Sequence, residues 1–594
     1  MFSSFLSIVK NIYKTQKEVF LANRFLYLII WFLSMISGLL PILNSFFWMQ
    51  LVNNFISLNN HKIYIIVICM SICSCVSMVL QGSVNNLTKL QSEYFNKYFN
   101  NNILNIIEGI NYDNFENHEI YNNIEIVTNQ SSFRIMLMYQ SVIQMVVNFC
   151  LLFVSMGIIF TLSPSLNFMI LGVSIPAFIY KIYLSKVYYK FYEEEVENIR
   201  YVNLLKSFSI QYINLKEIKV YNELKFLLNR INTIYSGYIS KLKKRVVKYI
   251  RCDSQVSMIQ LVVSLFIKCY MIHVIISKEL ALSNIIFFIQ IYNSSESAIS
   301  GILSKMADIF DNNMYAKKYF EFGEKYRTSL RKESTRMQDT DLISIELKNV
   351  FFHYPYCEEK DILNNINISF ERGKTYAIVG KNGCGKTTLV KLLLGLYKPV
   401  LGAILYNGEN IEDIDTKIYH RKFSIIFQDF VRYPLSLKEN IIVSNFDEGG
   451  TDKDLNDVLE VSGVSEFVDT LSDGLETNLM KQWKKGIDLS VGQWQKIAIA
   501  RALYRNTEIL VMDEPTASLD AFAEKDIFDR VNKICKQSNK TTVLISHRLS
   551  SVQNVDVILF MENGEIVEQG THQELIEFKG KYFEMYKVQA DSYR

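Results

Sequence analysis

The eight residues Gly380–Thr387 read GKNGCGKT and match the spacing G-x-x-x-x-G-K-[ST] of a phosphate-binding loop. The apolar run Ala377–Val379 before them predicts a buried strand, and Leu389–Leu393 after them predicts a helix. Glycines let the backbone wrap closely around phosphates, and the helix N-terminus adds partial positive charge. The second half of the 594-residue chain is therefore predicted to be an α/β domain that binds ATP. The predicted contacts in this segment are Gly380, Asn382, Gly383, Cys384, Gly385, Lys386, which reaches the β- and γ-phosphates, Thr387, which also ligates Mg²⁺, and Thr388.

Two further apolar strands deliver polar residues to the same crevice. Ile509–Met512 ends in Asp513 and Glu514, and Thr542–Ile545 ends at Ser546 and His547. Strand ends in an open α/β sheet carry the ligand-binding residues. Phosphoryl transfer needs positioning and charge neutralisation, so Asp513 is expected to hold Mg²⁺, Glu514 to orient the attacking water, and His547 to donate to the γ-phosphate.

The first half of the chain carries long apolar segments. A helix that spans a membrane needs about 20 mostly apolar residues. The segments that qualify are about Leu26–Leu51, Ile63–Val84, Met136–Leu162, Leu166–Ile179, Val256–Ile276 and Leu282–Leu303. The sequence thus predicts a six-helix transmembrane domain at 25–326, after an amphipathic N-terminal segment at 1–24. A charged linker at 327–342 and the ATP-binding domain at 343–594 follow.

The connections between these segments differ in charge. The long connection after the fourth segment is rich in Lys and Arg, and the long one after the second carries Lys89, Lys97 and Arg134, whereas the short ones carry little beyond Lys62 and Lys278. Positive residues mark the cytoplasmic side, so both termini and the nucleotide domain are expected there. The net charge of +3 gives no support to nucleic-acid binding. Neither a disulfide framework nor a cleavable signal peptide is predicted.

Two charged residues, Lys268 and Glu296, fall inside predicted spans. A charge in lipid is costly and commonly faces a cavity or a partner. Contact with a substrate, internal structural pairing and a position nearer the membrane interface all remain open for these residues.

The stretch Leu489–Lys496 (LSVGQWQK), followed by Ala498–Leu503, resembles the signature of ABC ATPases. Together with the phosphate motifs, it makes the whole chain similar to ABC exporter half-transporters of the type IV (ABC-B-like) fold. The resemblance implies that Tyr354 stacks on adenine and that Gln428 links Mg²⁺ to the membrane domain. It also implies a head-to-tail dimer in which the signature caps the partner's ATP. The residues implied for that contact are Ser490, Gly492, Gln493 and, in the loop Ser518-Leu519-Asp520, Asp520.

Coupling helices of the family are expected at about Tyr112–Asn122 and Ser209–Asn222. Val491 departs from the usual glycine of the signature, and Cys384 stands where serine is commoner, but neither change removes a catalytic group. A maleimide is expected to inhibit by modifying Cys384 beside the phosphates.

The stretches Ile378–Pro399, Ile426–Tyr433, Gly492–Lys496 and Ser209–Asn222 look like those of lantibiotic (nisin- and subtilin-type) exporters. The resemblance implies ATP-driven export of a ribosomally synthesised, bacteriocin-like peptide across a bacterial plasma membrane. About 24 residues precede the first span, so leader removal is not expected of this chain. Expected partners are a second subunit in a homodimer, the lipid bilayer, the cargo and peptide-maturation enzymes.

Two other functions remain open. Drugs, lipids or other amphiphiles are the alternative cargo, because apolar cavity walls suit either class. An ATP-gated regulatory or partner subunit with weak hydrolysis is an alternative of another class. Such a degenerate site would lack Glu514 or His547, and both are present.

Overall fold

The computed structural model describes residues 2–57, 59–327, 341–355, 361–445, 452–481, 483–514, 521–546 and 552–592. The chain divides into two compact units. The helical unit comprises Met1–Ile110 and Glu119–Leu330, and the sheet unit comprises Asn111–His118 and Arg331–Arg594. Most of the predicted linker lies outside the described residues.

The helical unit consists mainly of long α-helices. Among the described residues, four helical stretches are long and apolar enough to cross a membrane, namely Arg24–Ile56, Asn60–Glu108, Asn123–Leu162 and Leu224–Ser277. The helices are α1 (Phe2–Ala22), α2 (Arg24–Ile56), α3 (Asn60–Glu108), α4 (His118–Ile126), α5 (Ser132–Leu162), α6 (Pro164–Ile210), α7 (Tyr212–Val220), α8 (Leu224–Ser277) and α9 (Leu282–Arg327).

The six-span count stays a prediction. The segments predicted at about Leu166–Ile179 and Leu282–Leu303 lie in α6 and α9, which are not among the four. In α9 the reason is the polar run Asn293–Ser297 inside the segment. The helices also extend far beyond the apolar runs, because a helix that leaves a membrane continues with polar residues that hydropathy does not mark.

Close packing in the helical unit depends on small residues. A Cβ on Gly38 of α2 would lie 2.1 Å from Val147 of α5, and one on Gly301 of α9 would lie 2.4 Å from Asn148. Small residues let membrane helices approach closely. Buried hydroxyls add hydrogen bonds, as Ser295 Oγ donates to Ser155 Oγ at 2.8 Å between α9 and α5.

In its described segments, the sheet unit contains two sheets. A four-stranded antiparallel sheet has the order β2-β1-β4-β5, and a six-stranded sheet has the order β10-β9-β3-β8-β7-β6. The strands are β1 (Ser344–Phe352), β2 (Leu363–Glu371), β3 (Thr375–Gly380), β4 (Leu401–Tyr406), β5 (Glu409–Asn410), β6 (Phe423–Ile426), β7 (Ile509–Asp513), β8 (Thr541–Ile545), β9 (Val557–Glu562) and β10 (Glu565–Gly570).

Helices surround these strands. Helices α10 to α15 lie in sequence between β3 and β7, and residues of α15, α16, α17 and α18 pack against the larger sheet. They are α10 (Lys386–Leu393), α11 (Thr416–Arg421), α12 (Leu437–Ile442), α13 (Asp452–Ser462), α14 (Ser465–Val468), α15 (Val491–Tyr504), α16 (Ala521–Gln537), α17 (His572–Phe578) and α18 (Lys581–Ser592).

The larger sheet places the functional loops at one edge. Strand β3 pairs in parallel with β8 and β9, and β7 pairs in parallel with β8 and β6. Strands β3, β7 and β8 are buried along their whole lengths, which matches their continuous apolar sequences. The carboxyl ends of β3, β6, β7 and β8 therefore meet at one edge, where the sheet delivers its polar residues.

Candidate nucleotide-binding site

The loop between β3 and α10 is shaped by glycines. Gly383 and Gly385 have φ angles of 77° and 106°, which L side chains rarely adopt. Gly380 lies against the neighbouring strand, where a Cβ would stand 2.2 Å from the carbonyl oxygen of Met561. The loop exposes Asn382 and Gly383 and buries Gly385 at the start of the helix. This backbone can present N–H groups to an anion at a helix N-terminus.

Lys386 lies in the centre of this loop. Its side chain is buried, and its ammonium donates to the carbonyl oxygens of Gly380 and Lys381, each at 3.0 Å. The loop thereby holds a fixed positive charge where phosphates would lie. Thr387 is exposed and Thr388 is buried in the same first turn of α10.

Cys384 is less accessible than the sequence prediction assumed. The residue is buried, and its Sγ lies 4.0 Å from the Lys386 ammonium. Burial raises the pKa of the thiol, which outweighs the lowering by Lys386. Because the thiolate is the nucleophile, we expect slow reaction with a maleimide rather than ready inhibition.

Asp513 ends β7 and is almost completely buried. The Thr387 hydroxyl donates a hydrogen bond to its carboxylate, while burial and the neighbouring Glu514 raise the pKa of Asp513 to about 6. Its Oδ1 atom is buried with no hydrogen-bond partner among the described residues. A buried carboxylate oxygen without a partner, beside a threonine hydroxyl, is a donor set that suits Mg²⁺. Asp513 and Thr387 therefore fit the predicted metal site.

Glu514 and Gln428 meet although they are far apart in sequence. The Gln428 amide Nε2 donates to Glu514 Oε2 at 2.9 Å. Gln428 follows β6 and Glu514 follows β7, and these strands are neighbours in the sheet. Glu514 has a φ of 48°, a strained value for a residue with a side chain. The backbone N–H of Glu514 donates to Ile545 of β8 at 3.1 Å, which fixes this turn.

Tyr354 lies beside the phosphate loop within an aromatic cluster. Its hydroxyl lies 3.0 Å from the Thr388 hydroxyl, and its ring packs edge-on against Tyr397 with centroids 5.3 Å apart. The Lys391 ammonium lies 5.7 Å from the Tyr354 ring and 5.9 Å from the Tyr397 ring. The cluster holds Tyr354 on one side and leaves it partly exposed.

Tyr397 was not identified from the sequence. It is buried between Tyr354 and Tyr112, with the Tyr112 centroid 5.5 Å away, and its hydroxyl donates to the Glu116 carboxylate. Burial and this carboxylate raise the pKa of Tyr397. The short helix Tyr112–Glu116, which the chain inserts between α3 and α4, thus contacts a residue that contacts Tyr354. A tyrosine between a phosphate-loop helix and a proline carries no signal of this role by itself.

The signature residues lie at the N-terminus of α15. Ser490 and Gln493 form a capping box: Gln493 N donates to Ser490 Oγ at 3.2 Å, and Ser490 N donates to Gln493 Oε1 at 2.9 Å. A box of this kind stabilises a helix start on its own account. Ser490 and Val491 are exposed, and Gly492 and Gln493 are partly exposed. The start of α15 is therefore accessible to a second molecule.

Arg501 ties the signature helix to the segment after Gln428, a link that the sequence did not reveal. Its guanidinium donates to the carbonyl oxygens of Asn440 at 2.8 Å and Val431 at 3.0 Å, and it lies 4.8 Å from the Tyr433 ring. The structure therefore brings together Gly380–Thr388, Gln428, Asp513 and Glu514. Asp520 and His547 lie outside the described residues. The start of α15 is not linked to this group by any described hydrogen bond.

Comparisons with known proteins agree with this geometry. Residues 363–517 match the family described as ABC transporter. This chain is 30% identical to the subtilin transport ATP-binding protein SpaT of Bacillus subtilis, and the alignment covers 96% of this chain and 93% of SpaT. Nisin transport ATP-binding protein NisT of Lactococcus lactis subsp. lactis is 27% identical, over 96% of this chain and 95% of its own length.

A solved structure shares the fold. A bacterial Atm1-family ABC exporter with ATP bound matches with a TM-score of 0.76 at 20% identity, over 94% of this chain and 97% of that chain. The predicted resemblance to ABC exporters is confirmed by these matches. The chain belongs to the ABC transporter family, as an ATP-binding and ATP-hydrolysing membrane exporter.

Proposed function

We propose that this exporter moves a ribosomally synthesised, lantibiotic- or bacteriocin-like peptide out of a bacterial cell across the plasma membrane. The observation that carries the proposal is likeness over nearly the whole chain to proteins named for subtilin and nisin transport. Because those matches include the membrane half, they bear on the cargo as well as on the ATPase. Export of drugs, lipids or other amphiphiles is the alternative.

In the proposed ATP cycle, each site residue has a role, and the role of His547 rests on the sequence alone because this residue lies outside the described ones. Lys386 and the loop N–H groups bind the phosphates, and Tyr354 stacks on adenine. Glu514, held by Gln428 at 2.9 Å, orients and polarises the attacking water. His547 donates to the γ-phosphate. Hydrolysis then needs no covalent intermediate, only positioned charges.

Mg²⁺ is the proposed metal, with Thr387, Asp513 and Gln428 as the residues that would hold it, directly or through water. When bound, it would neutralise phosphate charge during transfer. The orphaned Oδ1 of Asp513 is the observation in favour. The protein's own contribution is to keep that carboxylate buried and oriented by the Thr387 hydroxyl.

The proposed working unit is a homodimer. In it, Ser490, Gly492 and Gln493, with Asp520, complete the site of the other subunit. The exposed N-terminus of α15 supports this, because a helix start attracts a γ-phosphate. With Glu514 and His547 in both copies, both sites would hydrolyse ATP. Docking of peptide-maturation enzymes stays a prediction.

Coupling to the membrane helices is proposed through the predicted segments Tyr112–Asn122 and Ser209–Asn222. For the first, support comes from the contacts of Tyr112 and Glu116 with Tyr397, which packs on Tyr354. A displacement of Tyr354 on adenine binding would therefore be passed through Tyr397 to the short helix Tyr112–Glu116. This helix is covalently continuous with α3 and α4. The proposed topology has both termini in the cytoplasm.

The test is ATP hydrolysis by the purified protein in lipid nanodiscs, with Glu514→Gln as the blank. Candidate peptides come from genes beside that of the exporter, each with and without its leader. We expect stimulation by the leader-bearing peptide alone. Equal stimulation by many unrelated amphiphiles would replace peptide export with multidrug or lipid export.

A further inference from the structure

Two charged residues of the helical unit, Lys268 of α8 and Glu296 of α9, each contact a residue of the other helix. Ser264 Oγ of α8 donates to Glu296 Oε2 of α9 at 3.4 Å. Four residues further along α8, the Lys268 ammonium lies 5.4 Å from the ring centroid of Tyr292, four residues back along α9. The carboxylate and the ammonium therefore face separate neighbours on the facing helix.

If α8 crosses a membrane along its apolar run, the contact with Ser264 places the Glu296 carboxylate at membrane depth. Its partner Ser264 is in the apolar run 256–276 of α8, and α8 is one of the helices long and apolar enough to span a membrane. Within the described parts of the chain, no ion pair involves Glu296 or Lys268. A carboxylate accepts about four hydrogen bonds, so one bond of 3.4 Å leaves most of its capacity unused. An unpaired charge at this depth requires water or a cationic partner.

Glu296 belongs to a continuous polar face of α9. The exposed residues recur at helical spacing and project within about 100° of one another. The opposite side is buried, with Ile291, Tyr292, Ser295, Ala298 and Ile302, and Ser295 bonds to α5. This polar face consists of Asn293, Glu296, Ser297, Ser300 and Ser304, all exposed.

We infer that the polar face of α9 binds cationic side chains of the exported peptide, with Glu296 as the ion-pairing residue; this inference rests on the proposed function. Charge complementarity selects the occupant, since a carboxylate among hydroxyl and amide groups suits a lysine or arginine side chain with its backbone. The Lys268 ammonium lies over the Tyr292 ring, and no ion pair between it and Glu296 is found among the described residues.

The experiment measures ATP hydrolysis of the full chain in nanodiscs against two synthetic probes. One is an amphipathic peptide of leucine, serine and arginine, and the other is the same peptide with citrulline, a neutral isostere, in place of arginine. We expect Glu296→Gln to raise the half-maximal concentration of the arginine peptide about tenfold, equivalent to about 1.4 kcal/mol. It should leave the citrulline peptide unchanged, and Glu296→Asp should recover most of the loss.

Two matched variants separate this role from others. Glu279→Gln removes the same charge from the exposed connection between α8 and α9, and it should shift neither peptide. Lys268→Met should not reproduce the effect of Glu296→Gln. If it did, the carboxylate would serve internal charge balance and the inference would be wrong.

Three further outcomes would each contradict the inference or the proposed function. An equal shift for both peptides, or equal potency of both in the wild type, would overturn the inference while leaving peptide export intact. A change in dimer dissociation without a change in peptide selectivity would assign the polar face to the second copy. Stimulation by neutral amphiphiles and by neither peptide would instead remove the proposed peptide function.

Discussion

The nucleotide site and the polar face of α9 differ in how strongly chemistry fixes their residues. The nucleotide site joins residues from adjacent strand ends, and one ligand accounts for their types: glycines for close approach, Lys386 for the proposed phosphate contact and Asp513 for the proposed metal. The polar face uses one charge and common small polar residues, which fit many peptides. A site for a fixed ligand is therefore legible in sequence. Of the proposed cargo surface, the sequence marks only Glu296, and the surrounding polar face is seen only when the helices are packed.

The largest expected effect tests the nucleotide site at Glu514. Glu514→Gln keeps the shape of the side chain but removes the charge that we propose polarises the attacking water. We expect hydrolysis to fall about 10³-fold, within the range of general-base contributions. ATP binding, measured with a fluorescent analogue, should persist. Undiminished hydrolysis would assign the catalytic role to another residue. It would also show that the nucleotide site is not as predictable from sequence as we argue.

The second prediction concerns Asp513, where function and stability oppose each other. A pKa of about 6 instead of 3.8 favours the neutral acid by about 3 kcal/mol. Because the pKa is raised in the folded state, the protonated carboxyl of Asp513 contributes this free energy to stability in full below about pH 4. The contribution is lost as the pH rises through 6. Without nucleotide and in EDTA, we therefore expect Asp513→Asn to unfold at a higher temperature than the wild type at pH 8.

The same variant should lose hydrolysis by about 100-fold, because the metal would lose its buried carboxylate. The stability advantage should shrink at pH 5, where the wild-type carboxyl is largely protonated. Equal unfolding temperatures at both pH values would show that the buried carboxylate is not strained without metal.

Much of the nucleotide site could be predicted because its signals are local. The loop Gly380–Thr387, the strand before it and the acidic pair after β7 each occupy a short stretch with its own pattern. The link from Tyr397 to Glu116 joins residues 281 positions apart and leaves no periodic trace. The long helices were found only where they are apolar: α3 continues to Glu108, well past the predicted end near Val84.

The third prediction addresses this missed link. Tyr397→Phe keeps the ring beside Tyr354 but removes the hydroxyl that donates to Glu116. A hydrogen bond to a charged group contributes about 1.5–3 kcal/mol, so we expect the stimulation of hydrolysis by cargo to fall about tenfold. Glu116→Gln should give a similar loss, and the double variant should add little. Additive losses would show that the two side chains act separately.

The smallest expected effect separates the cap of α15 from its proposed contact with ATP. Ser490→Ala removes a capping box, which costs about 1 kcal/mol of stability. Thr571→Ala removes a matching box with Glu574 at the start of α17, away from the nucleotide residues in sequence. We expect both variants to lose similar stability in denaturant unfolding, but only Ser490→Ala to lose hydrolysis. If both variants reduced hydrolysis equally, capping of α15 would account for the effect of the Ser490 hydroxyl on hydrolysis. The signature would then contact ATP through Gly492 and the helix N-terminus alone.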